Sequence, residues 1–554
     1  MTNAILTTLS PERLREGYAS GFWREETLYA RAVAQAQRAP DAIAIRDRRR
    51  AIGWAALVAA TDALAADLRE AGLRPGNRVA VWLPSRIETL VALLACSRDR
   101  YVCCPSLHRD HTVGEVVELC ARMRAAALIA EEGYGADAHR HDIFAAASAV
   151  GSLRRIHRLP KLDDDAEGAW AGSVLAKGPA VVPMSAPDGV LYLAFTSGTT
   201  GAPKGVMHSD NTVLANARAI IADWSLGPQD VICTLSPLSH NLGFGCMVMA
   251  CEAGCELVLP DLPRGASLLD RVIATGTTFL VGVPTHAIDL LAEIRKRGEA
   301  RVGALRGFRI SGAAAPRAVV AELLAHGVTP QSGYGMTEAC STHYTLPADS
   351  PELITGSSGR CAPGYEVRVF AREDADRELP AGEVGQIAGR GTSLMLGYYD
   401  DQASTEDSFN RAGWFMTGDL GWVDEQGYIR ITGRKKDVII RGGHNIFPTK
   451  IETLAMQHPA VLRAAALPVP DDRLGEKVCL AVMFRPGTSA EAEEILLHLD
   501  AAGLSKYDMP EFFIVTPEIP LTASGKILKR AVATQLEAGA LTPVPVRLPA
   551  AARG

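Results

Sequence analysis

The chain has 554 residues, a length that suggests roughly two to four domains. Hydrophobic residues make up 47% and charged residues 22%, the balance of a globular protein able to bury a sizeable core. The formal net charge of −6 at pH 7 gives no bulk electrostatic reason to bind nucleic acid or an anionic membrane, so neither is expected as a partner.

Residues 1–23 carry several charges and no apolar h-region, so no secretory signal is expected. From 54 to 72 the apolar Leu57, Leu64 and Leu68 fall on one helical face, and Gly72 is a stop signal. Arg78-Val79-Ala80-Val81-Trp82-Leu83 reads as a strand ending at Pro84, with a second helix following through Cys96. Elements alternating at this spacing predict an α/β arrangement with largely parallel pairing. The longest apolar runs, near 90–96 and 125–130, are too short to span a bilayer. The eleven cysteines follow no disulfide spacing; Cys103, Cys104, Cys251 and Cys255 read as buried thiols of a cytoplasmic protein rather than zinc ligands. Residues 161–188 are acidic, then small and punctuated by Pro and Gly, as in a connector.

The run Val190-Leu191-Tyr192-Leu193-Ala194-Phe195 reads as a buried strand. It feeds directly into Thr196-Ser197-Gly198-Thr199-Thr200-Gly201-Ala202-Pro203-Lys204-Gly205. Glycines let a backbone bend sharply and bring its N–H groups close to a ligand, hydroxyls add donors, and Lys204 adds charge, so the loop suits phosphate. It lacks the spacing G-x-x-x-x-G-K-[ST], which disfavours a P-loop NTPase. A helix is predicted over 209–224, then strands over 279–284 and 308–316. From about 367 to 428 glycines multiply and apolar residues alternate in short runs, predicting a smaller β-rich region. After the charged run Arg434-Lys435-Lys436-Asp437, residues 451–458, 478–484 and 491–502 read helix, strand, helix, a compact α+β unit.

Six further motifs follow the loop in order. They are Pro237-Leu238-Ser239-His240-Asn241, Ser311-Gly312-Ala313-Ala314-Ala315-Pro316, Gly333-Tyr334-Gly335-Met336-Thr337-Glu338, Gly413-Trp414-Phe415-Met416-Thr417-Gly418-Asp419, Gly433-Arg434-Lys435-Lys436-Asp437 with Gly442-Gly443-His444-Asn445, and Pro520-Leu521-Thr522-Ala523-Ser524-Gly525-Lys526. Each is weak or moderate alone. Together, in this order, they resemble the adenylate-forming superfamily of acyl-CoA synthetases, luciferases and nonribosomal adenylation domains, over nearly the whole chain.

The resemblance implies a large N-terminal domain, residues 1–433, of two α/β sheet subdomains and a β-rich subdomain, followed by a small mobile α+β domain, 434–554. It implies ATP, Mg²⁺ and coenzyme A as cofactors and a small carboxylic acid as substrate, and it leaves a homodimer open. The acid attacks the α-phosphorus of ATP, pyrophosphate leaves, and a thiol then takes the acyl group and releases AMP. Two anions meet in the first step, so positive charge and positioning matter more than acid–base groups.

By resemblance, Lys526 is the catalytic lysine that screens carboxylate and α-phosphate. Glu338 is the Mg²⁺ ligand, with Thr337 donating to a phosphate. The loop from Thr196 to Gly201, with Lys204, clamps the β- and γ-phosphates. Tyr334 lies against adenine, with Gly312, Ala313 and Ala314 on its other side and Gly333, Gly335 and Met336 alongside. Asp419 accepts from the ribose hydroxyls, Arg434 holds the sugar from the other side, and Thr417 and Gly418 aim Asp419. Lys436, where many relatives carry aspartate, is the hinge. Gly442 and Gly443 pass beside the pantetheine arm, and His240 gates the acyl pocket.

Asn241, Phe244, Gly245, Met247, Val283, Pro284, His286, Gly312 and Gly335 are the residues expected to line that pocket, and no arginine or lysine stands out to hold a second carboxylate. The expected acid is therefore compact and apolar: cyclic, aromatic or medium-chain. Tyr344-Thr345-Leu346-Pro347 and Gly364-Tyr365-Glu366-Val367-Arg368 look most like bacterial ligases for cyclohexanecarboxylate and medium-chain acids. His240-Asn241 also resembles hydroxybenzoate-activating enzymes that load a carrier protein. A non-catalytic relative is opposed by the intact Glu338, Asp419, Arg434 and Lys526.

Overall fold

The computed structural model describes residues 5–164, 182–196, 203–263, 265–312, 315–442, 444–521 and 527–549. Ser197, Gly198, Thr199, Thr200, Gly201, Ala313, Ala314, Gly443 and Lys526 lie outside the described residues, as does much of the 161–188 connector. The chain forms two compact units, one of residues 1–366 and 389–409, the other of 367–388 and 410–554.

Two sheets build the first unit. The six-stranded sheet runs in the order Arg155–Leu159, Ala125–Glu131, Arg78–Trp82, Val102–Cys104, Val190–Thr196, Lys204–Ser209. Its pairings are parallel except for the last, an antiparallel pair that flanks the Gly/Ser/Thr loop. Ala125–Glu131 and Arg78–Trp82 are buried at every position, as strands covered on both faces must be, and this explains their near-continuous apolar sequence.

The nine-stranded sheet has the strand Phe279–Gly282 near its centre, between Gly307–Ser311 and Val231–Thr234. Thr329–Met336 lies next to Gly307–Ser311 in parallel register, with Ser311 opposite Gly333. Antiparallel pairs close both ends of this sheet, at 340–361 and at 43–53. The largely parallel α/β architecture matches what the alternating elements predict.

The predicted helices are present with small shifts, as Trp54–Glu70, Ile87–Asp99 and Asp210–Trp224. The last is started by a capping box, in which Ser209 accepts from the Thr212 N–H and Thr212 returns the bond to Ser209.

Four further strands, Tyr365–Phe370, Gly385–Gly391, Phe415–Val423 and Ile429–Arg434, form one sheet in that order. A further sheet is built around Gly475–Phe484, which pairs with Val461–Asp471, Ile439–Arg441 and Phe512–Val515. Helices Pro448–Ala455 and Ala492–Ala501 bury Ile451, Ala455, Ile495, Leu496 and Leu499 in its core. All eleven cysteines are free thiols. Among the described residues no helix is long and apolar enough to cross a membrane.

Candidate active site

The antiparallel pair Val190–Thr196 and Lys204–Ser209 positions the first group of candidate residues. Thr196 and Lys204 face each other as its last described pair, and the Thr196 hydroxyl donates to the Lys204 carbonyl at 3.4 Å. The Lys204 ammonium sits 4.7 Å from the centre of the Tyr398 ring. The Tyr398 hydroxyl in turn donates to Glu338 Oε1 at 3.0 Å. Burial, reinforced by the charge of Glu338, pushes the Tyr398 pKa up, so the phenol keeps its proton and remains a donor. The fold thus joins Lys204 to Glu338, 134 residues apart, through one tyrosine that the sequence reading did not single out.

Thr337 and Glu338 are held by their backbone as well. His208 Nε2 donates to the Thr337 carbonyl at 2.7 Å, and the Met395 N–H donates to the Glu338 carbonyl at 2.7 Å. Burial lowers the His208 pKa to about 4, so the ring is neutral at pH 7. Its Nε2 carries the proton for Thr337, while Nδ1 meets the Thr212 hydroxyl at 3.1 Å. The segment bearing Met395 and Tyr398 also lies beside the hairpin, where the Leu396 N–H donates to the Met207 carbonyl and the Tyr399 N–H to that of Gly205.

The residues expected at the adenine sit at the ends of neighbouring strands. Gly312 has φ +92°, a conformation that disfavours a side chain, directly after Ser311, whose hydroxyl donates to the Gly333 carbonyl. Tyr334 is half-buried, with its ring 5.8 Å from that of His343. Gly335 packs so closely that an added Cβ would lie 2.2 Å from the Cys340 carbonyl oxygen. Met336 ends the strand, opposite Cys340.

His240 caps the N-terminus of the helix Asn241–Ala253 and stacks on His108 with ring centres 4.1 Å apart. His108 Nδ1 meets the Ser239 hydroxyl at 3.0 Å, and burial lowers the His108 pKa to about 2, so this ring is neutral.

Asn241, Phe244 and Gly245 line a narrow cavity of about 20 Å³ with Val213, Ile220, Val248, Met249 and Val281. Val283, Gly312 and Gly335 are not part of its lining; nor are Met247, Pro284 and His286. The expectation of a pocket without a basic residue is corrected here: Arg309 also lines the cavity. It hides in the apolar strand Gly307–Ser311, and an arginine inside a fully covered parallel strand is the signal that could have exposed it.

In the second unit Asp419 and Arg434 are direct cross-strand partners, with Arg434 Nε 3.3 Å from Asp419 Oδ1. Asp419 is nearly buried and Arg434 is exposed. Thr417 accepts from the Asp419 N–H and donates to the Ile387 carbonyl, while Gly418 takes φ +77°. Together they turn the Asp419 carboxylate toward Arg434. The Lys435 N–H donates to the Gly418 carbonyl at 2.8 Å, and Lys436 is exposed in the turn that follows. Gly442 has φ +56° and its N–H donates to the Leu474 carbonyl.

A glycine- and hydroxyl-rich sequence following a buried strand, a carboxylate braced by Tyr398 and a two-sheet α/β body are the features of an adenylate-forming enzyme. The family description "AMP-binding enzyme" matches residues 33–399, and "AMP-binding enzyme C-terminal domain" matches 450–526. The chain belongs to the AMP-binding enzyme family and is an ATP-dependent carboxylic acid–CoA ligase. It is 32% identical to the medium-chain fatty-acid–CoA ligase of Escherichia coli K12 over 95% of this chain and 94% of that one. It is 29% identical to a salicylyl-CoA synthase / salicylate adenylyltransferase of a Streptomyces species, over 94% and 95%. The ATP-bound structure of MatB from Rhodopseudomonas palustris superposes with a TM-score of 0.80 at 28% identity, covering 92% of this chain and 98% of that one.

Proposed function

We propose that this ligase acts in the cytoplasm on a compact acid with an apolar body, medium-chain or cyclic and cyclohexanecarboxylate-like. The observation that carries the reading is the lining of the cavity, which is mostly aliphatic with one aromatic side chain, Phe244. Tyr192, stacked on Phe244 at 3.7 Å between ring centres, backs one wall.

In the proposed division of labour, the Thr196–Gly201 loop and Lys204 hold the leaving pyrophosphate, Tyr334 and Gly312 take the adenine, and Asp419 and Arg434 take the ribose. Lys526 screens the carboxylate and the α-phosphate as the first bond forms. Glu338 is the residue to hold magnesium, because a hard cation prefers carboxylate oxygen and this carboxylate is braced next to a phosphate-directed lysine. A bound magnesium ion would neutralise phosphate charge. The working division of the chain is a large domain, 1–433, and a small domain, 434–554, that turns at Lys436 between the half-reactions, bringing Gly442 and Gly443 to the pantetheine arm. His240 gates the acid's entry.

A carboxylic-acid panel scored by AMP release with CoA present identifies the acid, and Lys526→Ala tests the assignment of roles. Adenylate formation is expected to fall at least 100-fold, while ATP binding, measured by calorimetry, changes little; a variant that keeps its adenylation rate refutes the catalytic role. Asn241 in the cavity lining supports a second reading, an aryl-acid ligase that loads a carrier protein. Pyrophosphate exchange without any CoA thioester would select that reading.

A further inference from the structure

Buried arginines elsewhere in this fold are compensated. Arg78, 2% exposed, donates to the carbonyls of Met123, Gly76 and Arg124 at 2.6, 2.8 and 3.1 Å. Arg86 is paired with Glu88 and Glu131, each at 2.7 Å. Arg309 is different. It is 1% exposed and, like Arg78, pairs with no carboxylate among the described residues, but it has one hydrogen-bond acceptor where Arg78 has three. Its Nη1 donates to Gln331 Oε1 at 2.6 Å and its guanidinium lies 5.7 Å from the Tyr344 ring centre. Its Nη2 has no partner, and neither has Nε2 of Gln331, its neighbour across the two strands. Burial lowers the Arg309 pKa to about 10, which leaves it charged at pH 7. Both orphaned groups are donors, so what is missing is an acceptor. A charge held in a dry site without a counter-ion is destabilising. The cavity that Arg309 lines is the one assigned above to the acid; its free space of about 20 Å³ is that of roughly one water, so an acid enters it only as the lining side chains give way.

The geometry points to a dicarboxylic acid as substrate: one carboxylate is activated, and the other is bound by Arg309 in the wall of the pocket. This deepens the ligase reading and rests on it. The neutral amides Gln331 and Asn216 fit the same role, since they add polarity without competing charge; Asn216 is already bonded to the Ser341 carbonyl at 2.8 Å. Arg309 lies three residues before Gly312 on the chain, about 10 Å along an extended strand, which sets the scale for a medium-length diacid. Aliphatic Val248, Met249 and Val281 cover the methylenes between the two ends.

Matched acids test this directly. Adipate and hexanoate differ only in the distal carboxylate. In the full-length enzyme, AMP release with ATP and CoA is expected to give adipate a kcat/KM at least 10-fold above that of hexanoate. Arg309→Met should cut the adipate-to-hexanoate ratio at least 100-fold. Hexanoate preferred by the native enzyme, or an unchanged ratio in R309M with both rates falling together, overturns the proposal; the second result is what a purely structural arginine would give. Thermal shift of the native enzyme with each acid, without ATP, supplies a readout that needs neither a variant nor catalysis. Adipate should raise Tm more than hexanoate, and equal shifts count against the subsite. If adipate alone stabilises but no acid yields a thioester, the diacid subsite stands and the CoA ligase reading falls. If hexanoate is converted and adipate neither binds nor reacts, the ligase stands and the subsite falls.

Discussion

Asp210 is a buried residue whose charge state bears on stability. It begins the helix Asp210–Trp224, and its Oδ1 accepts from the Leu28 N–H and the Ser97 hydroxyl, both at 2.7 Å. Burial outweighs these bonds and raises its pKa from 3.8 to about 7. In the unfolded chain the group ionises near 4, so between pH 4 and 7 the native state holds the extra proton and stability must fall as pH rises. Above pH 7 both states are ionised and the penalty, about 4 kcal/mol at most, is constant. Asp210→Asn retains an acceptor oxygen and cannot ionise. Its melting temperature should exceed that of the native enzyme by several degrees at pH 8 and by little at pH 4. An offset that is the same at both pH values would show that Asp210 carries no shifted titration. The same logic makes His208 a fixed donor, because with a pKa near 4 it stays neutral through the physiological range and keeps its bond to Thr337.

At the scale of elements, close packing separates two glycines that look alike in sequence. Gly335 lies where two antiparallel strands approach, and a methyl group there would sit 2.2 Å from the Cys340 oxygen and 2.9 Å from the Ser341 Cα. Both obstacles are backbone, so the strand pair must shift, at a cost of about 1–3 kcal/mol, and the neighbouring Tyr334 and Glu338 shift with it. Gly245 is inside a helix, and a methyl there meets nothing within 4 Å. Gly335→Ala is therefore expected to lower Tm and weaken ATP binding at least 10-fold, while Gly245→Ala should raise Tm, since helical glycine costs about 0.5–1 kcal/mol relative to alanine. Similar melting temperatures for the two variants would contradict this packing. Local pattern revealed most elements here: the helix after Ser209, the apolar strand before the loop and the helix from Trp54 all follow from spacing alone. The bracing of Glu338 did not, because Tyr398 and Met395 act across 60 and 57 residues of chain and carry no local signature. Arg309 was concealed differently. Apolar neighbours on both sides made its strand legible and its charge easy to pass over, although a buried cation was the more informative feature.

On the scale of the whole molecule, the functional question is how one chain runs two reactions with different nucleophiles. The turn at 434–437 is closed by the Asp437 N–H donating to the Arg434 carbonyl at 3.1 Å, and Lys435 is tied by its N–H to Gly418. Lys436 stands between these two bonds, exposed, and its own ion-pair partners are absent from the described residues. A turn of this kind can change its dihedrals without burying or exposing a core. Proline at 436 fixes φ and restricts Lys435 to extended conformations, so it limits the dihedral range and opposes the Asp437–Arg434 turn bond while leaving the Lys435 N–H able to reach Gly418. If the small domain turns at this point, Lys436→Pro should slow thioester formation at least 100-fold yet leave pyrophosphate release within about tenfold of the native rate. The two half-reactions are separable by measuring pyrophosphate release without CoA and acyl-CoA formation from preformed adenylate. Equal losses in both would mean that the turn supports the site around Asp419 and Arg434 rather than moving between them. A selective loss in the second would tie the exposed charged run, which composition alone reads as a solvated surface, to the change of reaction.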